Sequence, residues 1–378
     1  GEGVLMSKSC KPLHPGLFLL GAATAVLVFA APQTCAEALR QGLALCGGSL
    51  LVSLFPFLVV SALIMRSGAG EVLGVLLWPV VRCIGLRSRS AGSVLLIGLV
   101  GGFAPAAAAT AEAVRSRKLT SQEASALLPA CICSGPSFVI LTVGEQLLGS
   151  RTAGVCLFAA QVLAGWLTAA LLCRVRGIPE PLPAPPAAAQ TEPPPALDTI
   201  LAQAAVTYLK LCGFVLYFRL LAAGCGLLLP AVFAPFPAML LEVCSGCDYA
   251  ARTGLWASGL CCAALSVQGA SVLLQVRTLC PPEVSLRSLL WGRLLHLPLS
   301  LALFYLGLPQ SAVESFNTLC ARVVPMQRVP TDCALLVFAV CCITACEACR
   351  LTEKKAQNAV PANKNCSAAC KPPQNVVT

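Results

Sequence analysis

The chain consists largely of long apolar runs joined by short polar connections, and this feature limits the folds open to it. A helix that spans a bilayer needs about 20 mostly apolar residues. Of the 378 residues, 57% are hydrophobic and 11% are charged, which is too little polar material to cover a soluble protein. The sequence therefore predicts an all-α, multi-pass integral membrane protein with roughly 8–11 hydrophobic helices. The lipid bilayer is its expected solvent.

A segment rich in proline and alanine, residues 177–197, divides the chain nearly in half and predicts an extended, solvent-facing linker. Residues 1–35 are interpreted as an N-terminal tail with a first membrane helix, and residues 36–176 as a first repeat. Residues 198–310 form the second repeat, followed by a connecting segment with a last membrane helix (311–350) and a basic polar tail (351–378). Arg174, Arg176 and the tail lysines predict that the linker and the C-terminus are cytoplasmic.

Each half contains two apolar runs that are interrupted at glycine, followed by an intact span. The predicted breaks are at Gly102 and Gly135 in the first half, and at Gly246 and Gly269 in the second. Lipid cannot satisfy the free backbone groups of a broken helix, so such breaks survive only against protein or a water-filled cavity. Matched breaks in two halves, here expected to be inverted repeats, indicate a solute site between them. The competing interpretation is that glycine and proline are simply common in membrane helices.

Three charged residues near the breaks are candidates for the site: Arg115, Glu242 and Asp248. A carboxylate inside a membrane is energetically costly, so Glu242 and Asp248 are functional candidates by default. The structural alternative for Glu242 is an ion pair with Arg219 or Arg252. Arg115 is the candidate for attracting an anion, and it can also pair with Glu112 one helical turn earlier.

Uncharged polar side chains flank the second break of each half and could hydrogen-bond a solute. The alternative, that they cap the broken helix ends, is at least as well founded. These candidates are Ser134, Ser137, Ser266, Gln268 and Ser271.

Four motifs carry a resemblance to a known family. The run 117–149, with Cys131-Ile-Cys-Ser-Gly-Pro-Ser137 at its centre, resembles the nucleoside-recognition (Gate) domain and, within it, the YlbJ family of sporulation integral membrane proteins. The shorter motifs Leu54-Phe-Pro-Phe-Leu58, Leu241-Glu-Val-Cys-Ser-Gly246 and Leu265-Ser-Val-Gln-Gly-Ala-Ser271 are similar to motifs of the same family. The resemblance covers about residues 40–310.

The resemblance implies a bacterial protein of the cell membrane, or of the membranes that surround the forespore, acting in endospore formation. It also implies transport or facilitated movement of a small polar solute, either anionic or nucleoside-like, with dipicolinate as one candidate. The family carries more polar residues at the breaks than this chain, which has Gln268 where the family has histidine. A non-transporting membrane scaffold or sensor in a sporulation assembly is therefore the alternative, and a homo-oligomer is compatible with either.

The sequence argues against several other classes of function. His14 and His296 are the only histidines and lie far apart, and no nucleophile or metal-ligand pattern accompanies them, so no enzyme, cofactor or metal is expected. The net charge of +10 comes from lysines and arginines dispersed between apolar runs, not from a nucleic-acid-binding patch. Many of the 23 cysteines lie inside apolar runs, where cysteine packs as a small hydrophobe.

Overall fold

The computed structural model describes residues 15–177, 196–230, 233 and 235–307. Every regular element among these residues is helical. Most of the linker, the predicted last membrane helix (311–350) and the basic tail lie outside the described residues.

The first half contains nine α-helices, a short π-helical turn (Cys46–Leu50), a 3-10 turn (Val75–Leu77) and a longer π-helix (Ser137–Leu147). The π-helix Ser137–Leu147 separates the last two α-helices and continues the direction of α8. The α-helices are α1 (Pro15–Ala30), α2 (Pro32–Leu45), α3 (Leu51–Arg66), α4 (Ala69–Gly74), α5 (Trp78–Ile84), α6 (Ser90–Gly101), α7 (Phe103–Arg115), α8 (Ser121–Cys131) and α9 (Arg151–Arg176).

The described part of the second half contains six α-helices. Their order resembles that of the first half from α3 onward, where α4 and α5 are additional. The six helices are α10 (Leu197–Leu228), α11 (Pro235–Leu241), α12 (Val243–Ala251), α13 (Ala257–Val267), α14 (Gly269–Leu279) and α15 (Arg287–Gly307).

Among the described residues, four helical stretches are long and apolar enough to cross a membrane, and six if two bent pairs each count as one span. The four stretches are Arg151–Arg176, Leu197–Leu228, Gly254–Leu279 and Arg287–Gly307. This confirms a multi-pass helical membrane protein. Full-length spans are fewer than hydrophobic helices because several helices, including α6, α7 and α8, have only half the length of a span.

Side-chain contacts bring several connections to one end of the bundle, which we call the linker face because α9 ends there. The Ser88 hydroxyl donates to both carboxylate oxygens of Glu123, at 2.7 and 2.8 Å, which joins segment 85–89 to the start of α8. The Ser285 amide donates to the Ser125 hydroxyl at 2.8 Å, which adds segment 280–286. Arg176 donates to the Ser288 hydroxyl at 3.1 Å, so the end of α9 and the start of α15 also lie there.

The helices α6 and α7 form a hairpin around Gly102. A methyl group built on Gly98 would lie 3.3 Å from the Cβ atom of Ala106, so residues on the two arms face each other. The bond from Ser88 to Glu123 joins the segments that precede α6 and follow α7. Together α6 and α7 contain 25 residues (12 + 13), about 37 Å if they ran straight, so this bond requires the chain to turn back.

The helices α11 and α12 form a second, shorter hairpin around Glu242. A methyl group on Gly246 would lie 2.8 Å from the Cα atom of Met239, so these two arms also face each other. The open end of this hairpin leads into α13. The turn before α13, α13 and α14 together form one 26-residue span, Gly254–Leu279. This span ends at the linker face, because segment 280–286 lies there. The start of α13 therefore lies at the opposite face.

Each hairpin is followed by a broken span and then by an intact helix. The first broken span, α8 with the π-helix, packs against α9 through glycine, because a methyl group on Gly154 would lie 2.8 Å from the Cα atom of Ile140. The intact helices α9 and α15 run antiparallel, with Arg176 near Ser288 at one end and the Cys156 thiol 3.5 Å from the Gly307 carbonyl at the other. Close packing between small residues is the usual way that membrane helices associate.

Two details of the helix prediction need correction. The sequence predicts one long apolar helix over Ala36–Met65 that is kinked at Pro56, because proline removes a backbone donor. The residue with non-helical dihedral angles is instead Gly48, in a π-helical turn between α2 and α3. The sequence divides the start of the second half into an amphipathic segment (197–210) and an apolar segment (211–229), but α10 is continuous from Leu197 to Leu228.

Candidate functional site

Three of the four helix breaks line one cavity between the two halves. Gly102 at the tip of the first hairpin, Gly135 in the first broken span and Glu242 at the tip of the second hairpin all border it. Its empty volume is about 510 Å³, including the space at its open mouth. The remaining wall consists of Leu54, Leu58, Gly101, Phe103, Ala104, Ser134, Phe138, Leu211, Val243, Cys244, Val272 and Gln275.

Each hairpin tip touches the break of the broken span in its own half. A methyl group on Gly102 would lie 2.7 Å from the Gly135 nitrogen, and one on Gly269 would lie 2.8 Å from the Glu242 nitrogen. Both Gly102 (φ +80°) and Gly269 (φ +71°) adopt a left-handed conformation that other residues rarely tolerate. Glycine is therefore required here both for backbone conformation and for close approach.

Glu242 is the one charged side chain among the residues that line the cavity. It is the N-cap of α12, and its two carboxylate oxygens accept hydrogen bonds from the amides of Cys244 (2.8 Å) and Ser245 (2.6 Å). Capping and the helix dipole both stabilise a carboxylate at this position. A carboxylate has about four acceptor sites, so Glu242 can accept further hydrogen bonds from a molecule in the cavity.

The polar residues of the first broken span are buried beside the cavity. The hydroxyl oxygens of Ser134 and Ser137 have no hydrogen-bond partner among the described residues, and Ser134 borders the cavity directly. Buried hydroxyl groups without a partner are energetically costly, so an unpartnered group at a cavity wall indicates a place where a ligand or water can bind.

On the opposite wall, Gln275 of α14 provides a polar group that is not among the predicted site residues. It donates from Nε2 to the hydroxyl of Ser271 at 3.0 Å, so Ser271 orients Gln275 without bordering the cavity itself. The signal was present in the sequence, because Ser271 and Gln275 are four residues apart on one face of a helix.

Gly246 is not a break, contrary to the sequence prediction. The third interruption is at Glu242, which has extended dihedral angles (φ −156°, ψ 130°), and α12 continues through Gly246. The carboxylate of Glu242 supplies the acceptors that the first amides of α12 need, so this helix can begin three residues before the glycine. Gly246 instead provides the close approach to Met239.

Asp248 lies away from the cavity, in a buried ion pair. Its carboxylate accepts from Arg219 at 2.5 Å and from Arg252 at 3.0 Å. Arg219 also donates to Gln41 at 2.9 Å and lies 5.6 Å from the ring centroid of Tyr249. The arginine partnership expected for Glu242 is therefore made by Asp248, and it joins α12 to α2 and α10.

Arg115 is also remote from the cavity, which it does not line. It lies at the end of α7, near the linker face, with a side chain that is 66% exposed. It forms the expected ion pair with Glu112, at 3.8 Å. The half-helix α7 carries Arg115 away from Gly102 by the full length of the arm, so the structure does not bring Arg115 together with the candidates that border the cavity.

Ser266 and Gln268 are engaged by neighbouring helices and do not border the cavity. The Ser266 hydroxyl contacts Ser300 of α15 and Gln161 of α9. The Gln268 side chain accepts from Arg293 of α15, which also donates to the Ile132 carbonyl at 2.8 Å. Arg293 was missed because it is a single cation in an apolar run, where sequence offers no indication of its partner.

The described residues contain no group of three or more histidine, cysteine, aspartate or glutamate side chains that could hold a metal ion. The cysteines described are free, and most are buried.

Comparison with known proteins gives one informative match. The chain is similar to the sporulation integral membrane protein YlbJ of Bacillus subtilis, with 30% identity over 172 residues. The match covers 46% of this chain and spans 41% of the length of YlbJ. No protein-family model matches the chain, and no solved structure matches it. The predicted likeness to YlbJ is therefore confirmed, while the likeness to the Gate domain stays a prediction.

Proposed function

We propose that the chain is a transporter or facilitator for a small, polar, nucleoside-like solute, and that its two halves form an inverted repeat around the solute site. Transporters of this kind commonly bind solute where discontinuous helices from two repeats meet. The observation that carries the proposal is the single cavity bordered by Gly102, Gly135 and Glu242, which are breaks from both halves.

The order and direction of the helices support the inverted repeat. The first hairpin opens at the linker face, where Ser88 contacts Glu123, and its broken span runs away from that face. The second hairpin leads into α13 at the opposite face, and its broken span ends at the linker face, where Ser285 contacts Ser125. Equivalent elements therefore run in opposite directions, as inversion requires.

The chemistry of the cavity wall favours a neutral solute with hydroxyl or amide donors over an anion. Glu242 would repel a carboxylate or phosphate, and no lysine or arginine lines the cavity to offset that repulsion. A hydroxyl or N–H group can donate to Glu242, and the amide of Gln275 can accept or donate. Phe103 and Phe138 offer apolar surface for a flat ring.

Similarity to YlbJ supports a setting in bacterial endospore formation, and we propose this setting together with the membrane location. The proposed role requires no catalysis and no cofactor. The proposal of a neutral, nucleoside-like solute differs from the proposal of dipicolinate, which is dianionic at neutral pH. Dipicolinate therefore serves as the comparison solute.

Reconstitution into liposomes tests the proposal. Liposomes that contain the purified protein should take up a labelled nucleoside faster than dipicolinate. Glu242→Gln should reduce nucleoside uptake about tenfold, because the variant loses a charged acceptor. Arg115→Ala is the matched control, and it should leave uptake unchanged because Arg115 lies outside the cavity. Faster uptake of dipicolinate would contradict the solute class, and uptake of neither solute would contradict transport.

A scaffold or sensor in a sporulation assembly is the second candidate, because most of the cavity wall is apolar and several polar groups at the breaks are satisfied within the protein. Isothermal titration separates the two candidates. A scaffold should bind neither solute and should co-purify with a stoichiometric partner from sporulating cells. Saturable binding that Glu242→Gln weakens would instead support the transporter.

A further inference from the structure

Arg293, on α15, joins the two broken spans. Its terminal nitrogen donates to the Ile132 carbonyl at 2.8 Å and to the side-chain oxygen of Gln268. Ile132 terminates α8 and Gln268 terminates α13, which are the equivalent half-helices of the two broken spans. Helix C-termini attract a cation, so one guanidinium stabilises both ends. We call Arg293, Ile132 and Gln268 the Arg293 bridge.

Arg293 and Arg219 both lie inside the bundle, but their acceptors differ in charge. Arg219 is held by the carboxylate of Asp248 at 2.5 Å, and both side chains are almost fully buried. No carboxylate lies within ion-pair distance of Arg293 in the described part of the chain. Hydrogen bonds to neutral acceptors are weaker than charge pairs, so the Arg293 bridge can open more readily than the pair at Arg219.

A second set of acceptors lies beside Arg293, in a small space between α8, α9 and α15. This space is too narrow to hold a water molecule and is lined by Pro129, Thr168, Leu289, Gly292, Arg293 and His296. The hydroxyl oxygen of Thr168, the Nδ1 atom of His296 and the Nε atom of Arg293 are buried and have no partner among the described residues. Buried polar groups without partners are costly, and here they lie around one space.

The tautomer of His296 follows from its other nitrogen. Nε2 lies 3.0 Å from the Gln161 carbonyl, which can only accept, so Nε2 carries the hydrogen. In the neutral ring Nδ1 is then an acceptor. The Nε–H group of Arg293 is an unused donor, and two unused acceptors, Thr168 and His296, line the same space.

We propose that Arg293 is a positioning residue for transport that moves between these two sets of acceptors. Bound to Ile132 and Gln268, it holds the broken spans in the arrangement seen here. Bound to Thr168 and His296, it releases them, which allows the spans on the two sides of the cavity to move relative to each other. The inference rests on the proposed transport function, and it assigns Arg293 to the conformational step and not to solute contact.

Gln268→Glu provides the decisive test, because it gives Arg293 a charged acceptor of the same shape. The stronger bond should reduce the maximal rate of nucleoside uptake about tenfold while changing the half-saturating concentration little. Gln41→Glu is the control, because it also places a carboxylate beside a buried arginine, Arg219. It removes the bond that Gln41 donates to Glu37, and it should leave the rate unchanged. An unchanged maximal rate for Gln268→Glu would overturn the proposal.

The second set of acceptors is tested by Thr168→Val and His296→Leu. Removal of either acceptor should also lower the maximal rate, because Arg293 then has less to bind after it leaves the bridge. A normal maximal rate in the double variant would show that Arg293 does not use this position.

Amide hydrogen exchange tests the bridge without any transport assay, so failure of the transport proposal can be told apart from failure of this one. In Gln268→Glu, exchange should slow at both segment 132–137 and segment 268–272. Arg293→Gln should speed exchange at both segments, and Arg293→Lys should restore part of the protection. A change confined to one segment would mean that Arg293 does not connect the two spans.

Discussion

Glu242 and Asp248 are buried carboxylates six residues apart, but they interact with different kinds of partner. Glu242 accepts only backbone amides, whereas Asp248 accepts from Arg219 and Arg252. Removal of one partner from a buried ion pair leaves an uncompensated charge, which costs about 3–5 kcal/mol. Loss of an N-cap costs about 1 kcal/mol.

We therefore expect Asp248→Ala to lower the free energy of unfolding by about 3 kcal/mol or more, and Glu242→Gln by about 1 kcal/mol. Denaturant unfolding of the purified protein in detergent micelles measures both. Replacing the pair together, as Arg219→Met with Asp248→Leu, should recover most of the loss because no buried charge remains. Equal losses for Asp248→Ala and Glu242→Gln would contradict the assignment of the two carboxylates.

Gly102 combines a left-handed conformation with a close approach to Gly135. We expect Gly102→Ala to destabilise the protein by about 2 kcal/mol or more, from backbone strain and overpacking together. Gly177→Ala is the control, because Gly177 has a similar φ (+89°) but nothing within 4 Å, and it should cost only about 1 kcal/mol. If the two variants unfold at the same temperature, the contact between Gly102 and Gly135 is not important for stability.

The candidate site could be predicted in part from single residues. Gly102, Ser134, Gly135 and Glu242 were identified and border the cavity, because a glycine or a charge interrupting an apolar run is visible in sequence. The break predicted at Gly246 lies four residues earlier, at Glu242. In sequence, a carboxylate that caps a helix inside a membrane has the same pattern as any isolated charge. The apolar part of the wall, such as Leu211 and Phe138, has no signature at all.

At the scale of elements, predictions succeeded where the signal is local. The basic residues Arg151, Arg174 and Arg176 predict the ends of one span, and the helix Arg151–Arg176 has these bounds. The segment 119–123 predicts a capped helix start, and Thr120 forms a complete capping box with Glu123. The hairpins could not be predicted, because a broken run of 25 residues can either cross the membrane or turn back. Long-range contacts, such as the bond from Ser88 to Glu123 and the approach of Gly98 to Ala106, distinguish the two.

The capping box allows a prediction at the scale of one helix. Thr120→Ala removes the acceptor for the Glu123 amide, at 2.9 Å, and should lower stability by about 1 kcal/mol. Thr207→Ala is a suitable control, because the Thr207 hydroxyl bonds only to a carbonyl of its own helix, and the change should be within about 0.5 kcal/mol. Thermal unfolding of the two variants compares them, and a larger loss for Thr207→Ala would argue against the cap.

At the scale of the whole molecule, the two faces differ in charge. Exposed basic residues in the described part of the chain concentrate at the linker face, whereas the connections of the opposite face carry Arg151 and Arg252. Those at the linker face are Arg66, Arg82, Arg87, Arg89, Arg115, Arg117, Lys118, Arg174, Arg176, Arg277 and Arg287. An excess of lysine and arginine in the short connections of one side marks that side as cytoplasmic.

Reporter fusions test this orientation. A reporter that is active only in the cytoplasm should be active when fused after Gly177, where α9 has returned to the linker face, and inactive when fused after Leu229, at the far end of α10. A reporter that is active only outside the cytoplasm should give the opposite pattern at the same two positions. Because α10 is a single continuous span, the two positions must differ, and identical activity would contradict the fold itself. The reversed pattern would leave the fold intact and mean that the basic face does not determine how the protein is inserted.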